Sequence, residues 1–93
     1  MKPKGYVLAP KNVIDSRKNI LYMYREKPDN TYDSGWRIFS GDESDEYVNN
    51  PHNIGMYDIS TISELYPDIL PYLNMPIGSV LERNANDSDF TVM

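Results

Sequence analysis

No cysteine occurs in the 93 residues, and that absence limits the folds open to the chain more than any motif does. Disulfide frameworks, thiolate metal sites and cysteine nucleophiles are excluded together, and the lack fits a reducing cytosol. A domain of this length must instead be held by one modest hydrophobic core. Such a core buries roughly 60% or more of the unfolded surface within a radius of gyration of roughly 12 Å. The composition permits it, because 40% of the residues are apolar and 12% aromatic, as in a folded globule and unlike a disordered chain. Tyrosine supplies 8 of the aromatics, and it can lie half-buried with its hydroxyl in water.

The opening residues Met1-Lys2-Pro3-Lys4-Gly5 are basic with no apolar run behind them, so no signal peptide is expected. No stretch approaches the roughly 18 apolar residues of a membrane span. The expectation is a soluble cytoplasmic protein, which makes the glycosylation-like Asn86-Asp87-Ser88 a chance match. Charge is divided unevenly. Residues 1–28 hold seven Lys/Arg and two Asp/Glu (net +5), residues 29–68 one Arg and nine Asp/Glu (net −8), and residues 69–93 one Arg and three Asp/Glu (net −2). An acidic middle argues against a nucleic-acid backbone as partner and favours a basic protein surface. Ordinary solubility charge is the other reading.

Hydrophobic patterning gives the elements. Tyr6–Ala9 reads as a strand closed by Pro10, and Lys11–Lys18 as a turn or short strand around Val13 and Ile14. Ile20–Arg25 is a clearer strand, apolar enough for a central position. Trp36–Ser40 should pair with it antiparallel, placing Trp36, Ile38 and Ser40 on one face and Arg37 and Phe39 on the other. Asp42 is placed to cap a short acidic helix that ends at Asn49–Asn53, before an extended Ile54–Asp58. Thr61-x-x-Glu64 matches a capping box, opening an amphipathic helix with Ile62, Leu65, Ile69, Leu70 and Leu73. Pro67 would kink that helix or begin a second short turn, and Pro71 and Pro76 would end the region. Ile77–Arg83 and Phe90–Val92 complete the strands. The expected fold is a small single α+β domain over residues 1–93: a mainly antiparallel sheet, one longer amphipathic helix and a short acidic helix.

The segment Asp33–Tyr47 concentrates the unusual chemistry. It sets the only tryptophan after a turn-type glycine and ends in Asp42, Glu43, Asp45 and Glu46. Carboxylates this dense repel one another, and water and salt screen that only in part. A helix start accommodates two or three acids, each favoured by a few tenths to about 1 kcal/mol at the positive end. Trp36 either anchors the core or stands exposed as an interface hot spot.

Catalytic constellations are missing. The only histidine, His52, lies in an Asn/Pro-rich loop, and no serine sits in a Gly-x-Ser-x-Gly elbow. The acidic run does not follow the spacing of a calcium-binding loop, a chain this short offers little cleft for paired carboxylates, and no glycine-rich phosphate loop is present. Neither a cofactor nor a metal is therefore expected.

Together, Tyr24-Arg25-Glu26, Asp33-Ser34-Gly35-Trp36, Gly41-Asp42-Glu43 and Glu46-Tyr47 resemble a bacterial family once catalogued as a domain of unknown function. That family is now grouped as the thirty-third immunity protein family of polymorphic toxin systems. Asn53 to Tyr57, Pro67-Asp68-Ile69 and Gly78-Ser79 extend the resemblance over residues 5–83. It implies a non-enzymatic protein that binds a cognate toxin and brings no catalytic residues with it. On this reading the partner-binding set is Asp33, Trp36, Asp42, Glu43, Asp45, Glu46 and Tyr47, with Tyr32 beside it. The acids would steer towards a basic toxin surface and the aromatics would anchor. A second class is a small regulatory or ligand-sensing domain whose acidic loop binds a cation or cationic metabolite. A third is a hydrolase using Asp33 or Asp42 with His52.

Overall fold

Alternation sets the first strand, Tyr6–Pro10 (β1), in which Val7 and Ala9 are fully buried. The computed structural model describes residues 4–93. Pro10 leaves the strand extended at φ −58° and ψ 134° and leads into helix α1, Lys11–Asp15. A turn or strand was the expectation there. One and a half turns are too short to show a helical period, and the helix exists because it buries the adjacent Val13 and Ile14 together.

Tyr22–Arg25 (β2) and Asp33–Phe39 (β3) pair antiparallel, Tyr22 opposite Phe39 and Arg25 opposite Trp36, as patterning indicates. The third strand nevertheless begins at Asp33, three residues before the expected start. Its first half is irregular, because Tyr6 to Leu8 of β1 face Asp33 to Arg37, so two steps of one strand match four of the other. Gly35 lies inside this bulge at φ +87°, the left-handed region that glycine enters without penalty. It is a bulge glycine and not a turn glycine. A Cβ there would stand 2.3 Å from the Glu26 carbonyl oxygen.

Beyond β3, helix α2 spans Asp45–Val48 and a 3₁₀ turn Pro51–Asn53. Ile54–Asp58 forms β4, Ile59–Leu65 forms α3, and Pro67–Tyr72 forms a second 3₁₀ segment. Val80–Glu82 (β5) and Thr91–Val92 (β6) close the sheet. Two caps differ from expectation. Ser44, not Asp42, caps α2, its hydroxyl oxygen accepting the Tyr47 N–H at 3.1 Å. Asp58, not Thr61, caps α3 by accepting the Ser60 N–H at 2.8 Å. An aspartate three residues earlier reaches the free N–H groups first and leaves Thr61 inside the helix. Pro67 starts the 3₁₀ segment, Pro71 lies within it, and the tighter winding leaves Leu70 46% exposed while burying Ile69 and Leu73.

The six strands run in the order β4-β1-β3-β2-β5-β6, with only β1 and β3 parallel. The fold is α+β with a mostly antiparallel sheet. One face carries Val7, Ala9, Met23, Trp36, Ile38 and Leu81 into a cluster shared with Val13, Ile14, Ile59, Ile62, Ile69 and Leu73 of the helical segments. The opposite face carries Leu8, Tyr22, Tyr24 and Phe39, all half-buried, and Met56, which is 65% exposed. No helix among the described residues is long and apolar enough to cross a membrane.

Candidate functional site

The Asp33–Tyr47 segment divides into a buried half and an exposed half. Trp36 has no exposed surface, and its Nε1–H donates to the Leu73 carbonyl at 2.9 Å. The Arg25 guanidinium carbon stands 5.8 Å from its ring centre. Trp36 is thus the core anchor of the two readings, and a partner meeting the folded surface cannot touch it. Asp33 is also interior. It accepts Arg37 Nη1–H at 2.9 Å and Nη2–H at 2.8 Å, the Asp29 N–H at 2.9 Å and the Gly35 N–H at 2.8 Å. The Arg37 hydrogen bonds, helped by those backbone N–H groups, hold its carboxyl far below the usual carboxylate range despite burial. Arg37, itself 3% exposed, also donates from Nε to Glu26 at 2.6 Å and lies 3.9 Å from Asp29. Asp33 therefore works as a clamp on the loop between β2 and β3, and it leaves the set of residues that a partner can reach.

The four acids of the exposed half are held in two ways. Glu43 folds back on the strand end and accepts the Ser40 N–H at 2.9 Å and the Gly41 N–H at 3.0 Å. The Ser40 hydroxyl lies within hydrogen-bonding reach of both Asp42 and Glu43. That hydroxyl, and then Lys18 at 3.6 Å, lower the Asp42 carboxyl from its ordinary value. Asp45 and Glu46 instead occupy the first turn of α2 and stand exposed, with no ion pair to either among the described residues. Tyr47 is half-buried, its carbonyl accepting Asn53 Nδ2–H at 3.0 Å. Tyr32 is 77% exposed, but it belongs to the β2–β3 loop at the other end of the strands.

Beside Asp42 an open groove of about 810 Å³ runs between Lys18, Leu21, Tyr22, Glu82 and Arg83. Its walls mix both charge signs, and the Ser40 hydroxyl in its lining is bonded to Asp42. His52 lies exposed in the Pro51–Asn53 turn, its backbone N–H donating to Asn50 Oδ1 at 3.0 Å, and among the described residues its ring makes no hydrogen bond to a carboxylate. Among the described residues no group of three or more His, Asp or Glu side chains is arranged to hold a metal ion.

Two features escaped the sequence reading. The alternation sets Arg37 with Phe39 on the face opposite Trp36 and names no partner for it, yet it is the centre of a buried charge cluster. The signal was Asp33 four residues earlier, with Glu26 and Asp29 in the preceding loop. The second is Phe39, which the β2–β3 register adds to Tyr22 and Tyr24, themselves on one face of a single strand.

Compared with known protein families, residues 7–93 match the one described as the immunity protein Imm33 domain. No curated protein and no solved structure matches the chain.

Proposed function

Since the chain belongs to the immunity protein Imm33 domain family, we propose that it is a cytosolic binding protein that neutralises a cognate toxin by covering a surface the toxin needs. It acts by occupancy and not by turnover. The observation that carries this reading is the carboxylate ridge of Asp42, Glu43, Asp45 and Glu46, of which Asp42, Asp45 and Glu46 are exposed and Glu43 is half-buried.

Charges of one sign presented together raise the encounter rate with a surface of the opposite sign. Asp45 and Glu46 are the acids free to do this, because Asp42 and Glu43 are also engaged in holding the loop. Tyr47, half-buried beside them, offers an aromatic contact at little entropic cost. The toxin surface they suit is basic, and on a nuclease it would be the surface that otherwise holds phosphate.

The test is co-expression with the toxin domain encoded by the adjacent reading frame. Growth should be restored and the two chains should co-purify. Persistent toxicity despite abundant, folded protein would reject the reading. Rescue that survives reversal of all four charges would reject the electrostatic part alone.

A further inference from the structure

Resting on that reading, we infer that the toxin seats on the sheet face opposite the core helices, an aromatic floor bordered by α2 and rimmed by carboxylates that suits a basic protein surface. The acidic ridge is then one edge of a larger docking face.

The floor is continuous. Tyr22 and Phe39 are direct cross-strand neighbours, with ring centres 6.0 Å apart. Tyr24 stacks on Phe39 at 6.0 Å and 14°, and stands 5.8 Å from Tyr22. All three rings are only half-buried, whereas Trp36 and Ile38 on the opposite face are fully buried. Next to Phe39 a hollow of about 290 Å³ is lined by Leu8, Val48 and Ile54 together with the paired Glu26 and Arg37. An aromatic floor with an adjoining, partly apolar hollow suits the hot-spot side chains of a partner.

Charge selects the occupant. At one end of the face stand Glu82, opposite Tyr22 in register, and the acids of residues 42–46, while the cations there, Lys18 and Arg83, are paired with Asp42 and Asp68. At the other end stand Glu26 and Asp29, with side chains 52% and 77% exposed. The cation within the floor, Arg37, is already matched by Asp33 and Glu26. A second copy of the chain would bring the same carboxylates against these, and like charges across an interface are costly. Nucleic acid meets the same objection. A protein with Lys or Arg around an apolar protrusion satisfies both floor and rim.

The experiment measures binding to the toxin domain encoded by the adjacent reading frame, with hydrogen exchange on the wild-type complex. Protection should appear in β2, β3 and α2 and be absent from α3 and residues 67–72. Glu82→Lys, at an exposed position, should weaken binding about tenfold, and Tyr22→Ala with Tyr24→Ala about thirtyfold or more. Glu64→Lys, on the exposed side of α3, should stay within about twofold. Should the tyrosine variant misfold, the Glu82 variant and the exchange map still decide. Wild-type binding with protection confined to α3 and residues 67–72, or unaffected by Glu82→Lys and the tyrosine changes, would overturn this face alone. No wild-type complex at all would overturn the toxin-binding reading beneath it.

Discussion

The Arg37 guanidinium grips the Asp33 carboxylate through two parallel hydrogen bonds of 2.9 and 2.8 Å, with both side chains inside the protein. Residues four apart on a regular strand are separated by about 13 Å. The bulge at Gly35 shortens that separation and turns the pair into a clamp across an irregular strand. The same aspartate accepts the Asp29 N–H, so the loop between β2 and β3 is fastened to the sheet through one carboxylate.

Breaking this clamp should be costly. Asp33→Ala leaves a buried guanidinium with Glu26 as its remaining close partner, and a buried pair that loses one member costs about 3 to 5 kcal/mol. The urea midpoint should fall with little change in slope. Replacing both, Asp33→Leu with Arg37→Met, should recover much of the loss, because no uncompensated charge then stays inside.

The clamp also fixes the sign of the acid response. The Asp33 carboxyl titrates well below its unfolded value of about 3.9. Between its folded and unfolded values the unfolded chain binds more protons, so stability rises with pH in that window. The contribution is complete above about pH 5 and is lost as pH falls through the folded value. Asp42 and Asp58 are lowered too and act in the same direction from exposed positions. Unfolding midpoints should drop steadily below about pH 4, and Asp33→Asn should flatten that slope.

The main strands and the antiparallel β2–β3 pairing were legible because apolar alternation is a local signal. The bulge was not, since Asp33-Ser34-Gly35 before an apolar run is also how a turn is written. Helix α1 was hidden by its length, and the caps of α2 and α3 by nearby acceptors of equal aptitude in Asp42 and Thr61. The burial of Asp33 depends on Arg37 and on pairing with β1, which no local pattern encodes. Tyr22 and Tyr24 share a face by alternation alone, but their contact with Phe39 arises from register, a property of two strands and not of either one.

Glycine at position 35 should be nearly irreplaceable. Gly35→Ala meets both the left-handed strain of φ +87° and the Glu26 carbonyl oxygen at 2.3 Å. Gly78 has a similar φ of +98° but nothing within 4 Å of the added carbon. Gly78→Ala should cost about 1 to 2 kcal/mol, the strain alone. Gly35→Ala should cost clearly more, because the bulge must open, and parallel thermal melts of the two variants would show the difference.

Trp36 offers a direct optical check on the division between core and surface. Trp36→Phe removes the donor to the Leu73 carbonyl and leaves a void, for about 2 to 4 kcal/mol together. In the wild type, acrylamide should quench the tryptophan poorly until the protein unfolds. Adding the toxin should leave that accessibility unchanged, and a marked change would return Trp36 to the contact surface.

The acidic ridge should separate into two kinds of mutant. Glu43→Ala strips an acceptor from the Ser40 and Gly41 N–H groups, so it should destabilise by about 1 kcal/mol. Asp45→Asn with Glu46→Gln removes exposed charges that hold nothing in place, so stability should change by no more than about 0.5 kcal/mol. Loss of the favourable helix-end interaction and relief of repulsion with Asp42 and Glu43 act in opposite directions there. The second variant should instead slow association with the toxin and reduce its dependence on ionic strength, while dissociation stays near wild type. Stopped-flow rates at low and high salt test this. An association rate equal to wild type at both would show that these two carboxylates do not steer.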